Sequence, residues 1–63
     1  MNKTDQKFLS AYVVAKRLDV SPETIYRLIR SGDIQAHKIG KSIRITEEQY
    51  RQYLERTLTR SEN

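Results

Sequence analysis

The 63-residue chain has no cysteine and no tryptophan, and only one histidine, one proline and two glycines. Without cysteine there can be no disulfide, no thiolate zinc site and no thiol nucleophile, and the lone His37 cannot assemble an imidazole metal cluster. Redox compartment is therefore not readable from cysteine usage. No apolar run approaches the about 20 residues that a membrane span needs, and the opening Met1-Asn2-Lys3-Thr4-Asp5 has no apolar leader core, so a soluble, cytoplasmic protein with no membrane partner is expected. A chain this short buries only about 60% of the surface its unfolded form exposes, which leaves one small core and a stability of about 3–5 kcal/mol. A second domain is excluded and multi-step catalysis is not expected. The expectation is a non-enzyme with no cofactor and no metal.

Charge is plentiful but unevenly placed. Twelve Lys and Arg against eight Asp and Glu give +4 at pH 7. By segments, residues 1–21 carry four basic and two acidic groups (+2), residues 22–45 five and two (+3), and residues 46–63 three and four (−1). A net +4 alone is equally the mark of an ordinary solvated surface; the concentration of positive charge in the middle is what favours a polyanionic partner.

The first residues, Met1 to Lys7, are polar without periodicity and read as a disordered tail (1–7). Ser10 is a candidate N-cap, followed by Ala11, Val14, Ala15 and Leu18 at the i, i+3, i+4, i+7 spacing of one buried helical stripe. Asp19-Val20-Ser21-Pro22 interrupts it: Ser21 can cap a second helix and Pro22 suits its first position. Ile25, Leu28 and Ile29 form that helix's inner stripe, and Gly32 supplies the left-handed residue that ends it near Ser31. From Ile34 to Ile45 the period changes, and Gly40-Lys41 between β-branched runs predicts a hairpin. A three-residue Gly40-Lys41-Ser42 turn would set Ile39 opposite Ile43, gather Ile39, Ile43 and Ile45 on one face and send Lys38 and Arg44 together to solvent. Thr46 with Gln49 is a capping box for a third helix behind the hairpin, with Tyr50, Tyr53, Leu54 and Thr57 or Leu58 as its apolar stripe. The predicted layout is an α+β winged helix-turn-helix over 8–58, with a two-stranded wing, a C-terminal helix and a loose tail at 59–63.

Two helices of about eight and ten residues joined by a short turn are helix-turn-helix geometry, which sets the second helix against the major groove. The outer face of that helix holds Pro22, Glu23, Tyr26, Arg27 and Arg30 with Thr24 beside it. A merely wet amphipathic helix would present the same pattern; the basic hairpin that follows favours nucleic acid. Tyr26 is placed either to stack on sugar or phosphate or to pack on the wing. His37 reads as a half-buried strand residue, Tyr50 and Tyr53 as core, Tyr12 as core in part, and Glu47-Glu48 as a helix N-terminal charge pair, not a catalytic dyad.

Phe8-Leu9-Ser10, the run from Val20 to Gly32, Lys38-Ile39-Gly40-Lys41 and Ile43-Arg44-Ile45 together resemble the excisionase family of small winged-helix DNA-binding proteins, over about Phe8 to Leu54. MerR-type regulators share the plan but continue into a long dimerisation helix and an effector domain, which these residues do not contain. The resemblance implies double-stranded DNA as partner, with the second helix in the major groove and the wing on phosphates and the adjacent minor groove. It implies base reading by Glu23 and Arg27, a phosphate or groove contact by Lys41 at the wing tip and a backbone contact by Arg30. Ser21, Thr24, Tyr26, Lys38 and Arg44 complete the candidate DNA-binding set. Arg can give two bonds to guanine and Glu can accept from cytosine, so the chemistry agrees. Asp19 departs from the pattern, since such turns favour glycine, but Asp tolerates the left-handed conformation better than most residues.

Three functions stay open at this point: an architectural recombination directionality factor assisting an integrase, a transcriptional regulator of a phage or mobile element, and a protein-interaction module. With no heptad seam, the free chain is expected to be a monomer that assembles cooperatively on DNA.

Overall fold

A computed structural model describes residues 7–59. Along the chain run β1 (Phe8–Ser10), α1 (Ala11–Leu18), α2 (Pro22–Arg30), β2 (His37–Ile39), β3 (Ser42–Thr46) and α3 (Glu47–Thr57). Of the tails expected at 1–7 and 59–63, residues 1–6 and 60–63 lie outside the described residues.

Each helix starts where a hydroxyl can take up a free backbone N–H. The Ser10 Oγ accepts from Val13 N at 3.2 Å, the Ser21 Oγ from Thr24 N at 3.2 Å and the Thr46 Oγ1 from Gln49 N at 3.0 Å. At α3 the box closes, because Thr46 N donates back to the Gln49 Oε1 at 2.9 Å. The ends of α1 and α2 are set by left-handed residues. Asp19 takes φ 59° and ψ 43° after α1, with its N–H on Lys16 O and the Val20 N–H on Ala15 O, so the chain reverses without a glycine. After α2, Gly32 at φ 88° does the same, with Gly32 N on Ile29 O and Asp33 N on Leu28 O.

The sheet has three antiparallel strands in the order β1-β3-β2, one more than the two-stranded wing expected. Phe8-Leu9-Ser10 forms the added strand, pairing Leu9 with Ile45 and Ser10 with Arg44. Beyond it the backbone tie continues, as Glu47 N donates to Lys7 O at 3.2 Å.

The hairpin register differs from the expected one. Ile39 pairs with Ser42, Lys38 with Ile43 and His37 with Arg44, so the turn is the two-residue Gly40-Lys41. The positive φ of 61° falls on Gly40 alone, the pattern of a II′ turn, whose twist suits antiparallel strands. One consequence is that Ile39 parts from Ile43 and Ile45 and is left 53% exposed. Another is that Lys38 and Arg44 lie on opposite faces of the hairpin rather than together.

The core consists of Leu9, Ala11, Val14, Ala15, Ile25, Ile34 and Ile45, one layer between the sheet's inner face and the α1–α2 pair. Ala15 is small where the helices meet, as expected. Thr46 is the buried polar residue of the described chain, and its capping bonds satisfy it. Tyr50 and Tyr53 are half-buried against the core, whereas Leu58 is exposed and α3 has no fully buried side chain. Polar clamps hold this helix instead. The Arg17 Nη1 and Nη2 donate to the Glu47 Oε1 and Oε2 at 3.2 Å each, the Arg17 guanidinium lies 5.2 Å from the Tyr50 ring centre, and Arg56 donates to the Asp33 carbonyl.

Candidate nucleic-acid interface

The second helix presents Glu23, Tyr26, Arg27 and Arg30 at i, i+3, i+4 and i+7, one stripe opposite the buried Ile25. Glu23, Arg27 and Arg30 are exposed. Among the described residues none of the three has an ion pair or a side-chain hydrogen bond, so their donors and acceptors point to solvent unspent.

Tyr26 is less free than expected. Its ring is half-buried, packs against the core and meets Tyr12 of α1 edge-on, at 6.4 Å between centroids and 81° between planes. Its aromatic partner is α1, not the wing. Tyr12, expected to be core in part, is 63% exposed, because position 12 falls outside the 11, 14, 15 stripe that faces inward.

Ser21 and Thr24 are bound to one another, with their hydroxyl oxygens 3.0 Å apart beside the cap bond. That places both at the N-terminus of α2, where helix N–H groups and the dipole favour an anion.

In the wing, Lys41 stands at the turn and is exposed. Lys38 is exposed on the face shared with Ile43 and the buried Ile45, the face that looks toward α1 and α2. Arg44 is half-buried on the other face and donates from Nη1 to Ile43 O at 3.1 Å. His37, expected half-buried, is an exposed β2 residue whose ring meets Phe8 edge-on at 5.7 Å.

The α3 clamp shifts the protonation of its own two partners. The Glu47 carboxyl is held below the usual glutamate range, first by hydrogen bonds from Arg17, against some desolvation, with attraction from Arg17, Lys7 and Arg51 adding to the effect. The Arg17 guanidinium is correspondingly held above its usual value. Among the described residues no group of three or more His, Cys, Asp or Glu is placed to hold a metal, and no helix is long and apolar enough to cross a membrane.

A capped helix pair with a left-handed turn, an exposed basic stripe on its second helix and a lysine-bearing hairpin beside it define a winged helix-turn-helix of the α+β class. The helix-turn-helix domain family matches residues 8–57, and the chain belongs to it: this is a small helix-turn-helix DNA-binding protein. No curated protein and no solved structure matches the chain.

Proposed function

We propose that the protein is a sequence-specific architectural DNA-binding protein of the excisionase type, which bends DNA so that an integrase can excise a mobile element. The observation that carries the reading is the α2 stripe, whose Glu23, Arg27 and Arg30 are exposed and, like Lys38 and Lys41 of the wing, have no ion pair or side-chain hydrogen bond among the described residues. With α2 in the major groove, Arg27 donates twice to guanine and Glu23 accepts from cytosine, each worth about 1–3 kcal/mol of discrimination. Arg30 and the Ser21-Thr24 helix start sit on phosphates, and Tyr26 meets the sugar-phosphate edge with whatever surface Tyr12 leaves uncovered. Lys38 and Lys41 meet phosphates along the adjacent minor groove. Arg44 faces the other way and serves the wing's own backbone.

One such unit buries about 600–1,000 Å² on DNA, too little for strong discrimination, so several copies act together on repeated sites. A row of copies on one side of the duplex bends it, at a cost of order 1–6 kcal/mol offset by the added contacts. The test is selection of bound sequences from random duplex, then sedimentation of the free protein and circular-permutation gel shifts on the selected site. A monomer in solution and a bent, multiply occupied site are expected. A fully occupied site that migrates as straight DNA removes the architectural role and leaves a transcriptional regulator.

A further inference from the structure

The outer face of the sheet carries side chains that the duplex reading does not use. Phe8 pairs with Thr46, Ser10 and His37 both pair with Arg44, and Ile39 pairs with Ser42, so side-chain alternation sets Phe8, His37, Ile39 and Arg44 on that face. Leu9 and Ile45 go to the inner face, where the half-buried apolar residues of all three helices pack against the core. Phe8 is 48% exposed, and His37 and Ile39 are exposed as well. Because β1 and β2 flank β3, their backbones are about 9–10 Å apart, yet the Phe8 and His37 rings meet at 5.7 Å and 80°. Both rings therefore lean over the middle strand, which holds Arg44. An edge-on contact occupies at most one ring face, so the pair keeps π surface for a further partner. Arg44 donates to Ile43 O and has no ion pair, which leaves most of its five N–H donors without a partner among the described residues. None of the three strands contains an Asp or Glu.

We infer that this face is a second binding site, one that takes single-stranded nucleic acid: unpaired bases stack on the Phe8 and His37 rings, Ile39 extends the apolar surface toward the turn, and Arg44 donates to a backbone phosphate. The chemistry selects that occupant. Aromatic rings interleaved with a cation and free of carboxylates suit a chain that alternates flat bases with phosphates, because every base has a π face and every linkage an anion. An apolar protein surface would leave the Arg44 donors unmet, and an acidic peptide would leave the rings without π partners. Duplex DNA offers the rings only its backbone, since its bases are already stacked on one another. The site goes beyond the duplex reading and does not rest on it, because α2 and Lys38 belong to the opposite side of the sheet.

The experiment titrates a labelled thymidine oligomer of about a dozen nucleotides, followed by fluorescence anisotropy, with wild type, Phe8→Leu, His37→Ala, Arg44→Ala and Phe8→Trp. A labelled duplex of the selected site is titrated in parallel, and thermal melting confirms that each variant is folded. Phe8→Leu keeps apolar bulk on β1 but removes a stacking ring, so it should weaken oligomer binding by about 5- to 150-fold and leave duplex binding unchanged. His37→Ala should act in the same direction. Arg44→Ala removes a phosphate contact, so log affinity for the oligomer should fall with log salt less steeply by about 0.7. Phe8→Trp restores a ring and adds a tryptophan to a chain that has none, so the oligomer should quench its fluorescence and the duplex should not. Wild type that does not bind the oligomer overturns the inference and leaves the face to a protein partner. Oligomer binding that Phe8→Leu and His37→Ala leave unchanged, with no quenching in Phe8→Trp, overturns it equally. Stacking on the oligomer in a wild type that binds no duplex upholds this site and overturns the duplex reading alone.

Discussion

The observed hairpin register makes a demand on the wing that can be measured. If Lys38 and Arg44 shared a face, both would approach the duplex and the phosphate set would be Arg30, Lys38, Lys41 and Arg44. In the two-residue register Lys38 pairs with Ile43 and Arg44 with His37, so the two lie on opposite faces. In the proposed docking, the face that carries Lys38 is the one that meets the DNA. Lys38 is exposed on the inner face, shared with Ile43 and the core residue Ile45; Arg44 is half-buried on the outer face and donates to Ile43 O. Each phosphate contact steepens the dependence of log affinity on log salt by about 0.9. Under the proposed docking, Arg30, Lys38 and Lys41 therefore give a slope of about −2.7. Lys38→Ala should make the slope shallower by about 0.9 and Arg44→Ala should leave it unchanged, even if some affinity is lost through a looser wing. The assay is a fluorescence-anisotropy titration at four or more salt concentrations, with melting curves to confirm folding. A shallower slope in Arg44→Ala together with an unchanged slope in Lys38→Ala refutes the assignment of faces to the wing.

Arg27→Ala should lose discrimination between selected and unrelated duplex, whereas Lys41→Ala should weaken both by similar factors; competition binding separates the two outcomes. Asp19 holds a left-handed conformation at φ 59°, so Asp19→Gly should raise Tm and Asp19→Ala should lower it, the latter by about 0.5–1 kcal/mol or several degrees in a domain this size. Equal melting temperatures for the two would contradict a strained turn. The Glu47 carboxyl is depressed in the folded chain, so its contribution is complete above the ordinary glutamate range and is lost as pH falls through the depressed value. Thermal melts of Glu47→Gln should accordingly be less stable than wild type near neutral pH, with the difference closing in acid; a gap that widens in acid reverses the sign and rules out the clamp.

What the sequence made legible was its punctuation. Ser10, Ser21-Pro22, Gly32 and the Thr46 and Gln49 pair act through hydrogen bonds within three or four residues, so the same short windows that suggested the caps contain the groups that form them. Asp19 was legible for the same reason. The first strand was not: three residues carry almost no periodicity, and Leu9 becomes a core residue only by pairing with Ile45 from the other end of the fold. The register was missed because gathering three isoleucines on one face looks favourable in isolation. Ile39 lies at the turn on an edge strand, where little core remains to receive it, and the left-handed Gly40 at the first turn position closes a two-residue loop instead. In the candidate interface, the α2 row followed from helical spacing alone. The Tyr12 to Tyr26 contact did not, because it depends on how α1 and α2 cross, which no spacing within either helix encodes.

The uneven charge along the chain acquires a physical meaning once the contacts are in place. Among the described residues three arginines are engaged by the chain itself: Arg17 by Glu47, Arg44 by the Ile43 carbonyl and Arg56 by the Asp33 carbonyl. Two of these three hold α3, a helix that buries no side chain completely and that carries Glu47 and Glu48 in its first turn, where the helix dipole favours them. The acidic surplus of residues 46–63 thus includes the group that docks α3, and docking it consumes a cation from α1 instead of one from α2 or the wing. Arg27, Arg30, Lys38 and Lys41 come from the segment with the largest positive surplus and are left without partners among the described residues. With Glu23 as the one acidic member of the α2 row, these four cations give α2 and the wing a positive surface that no ion pair among the described residues neutralises. A polyanion is the partner such a surface attracts, which is the physical content of the DNA-binding assignment.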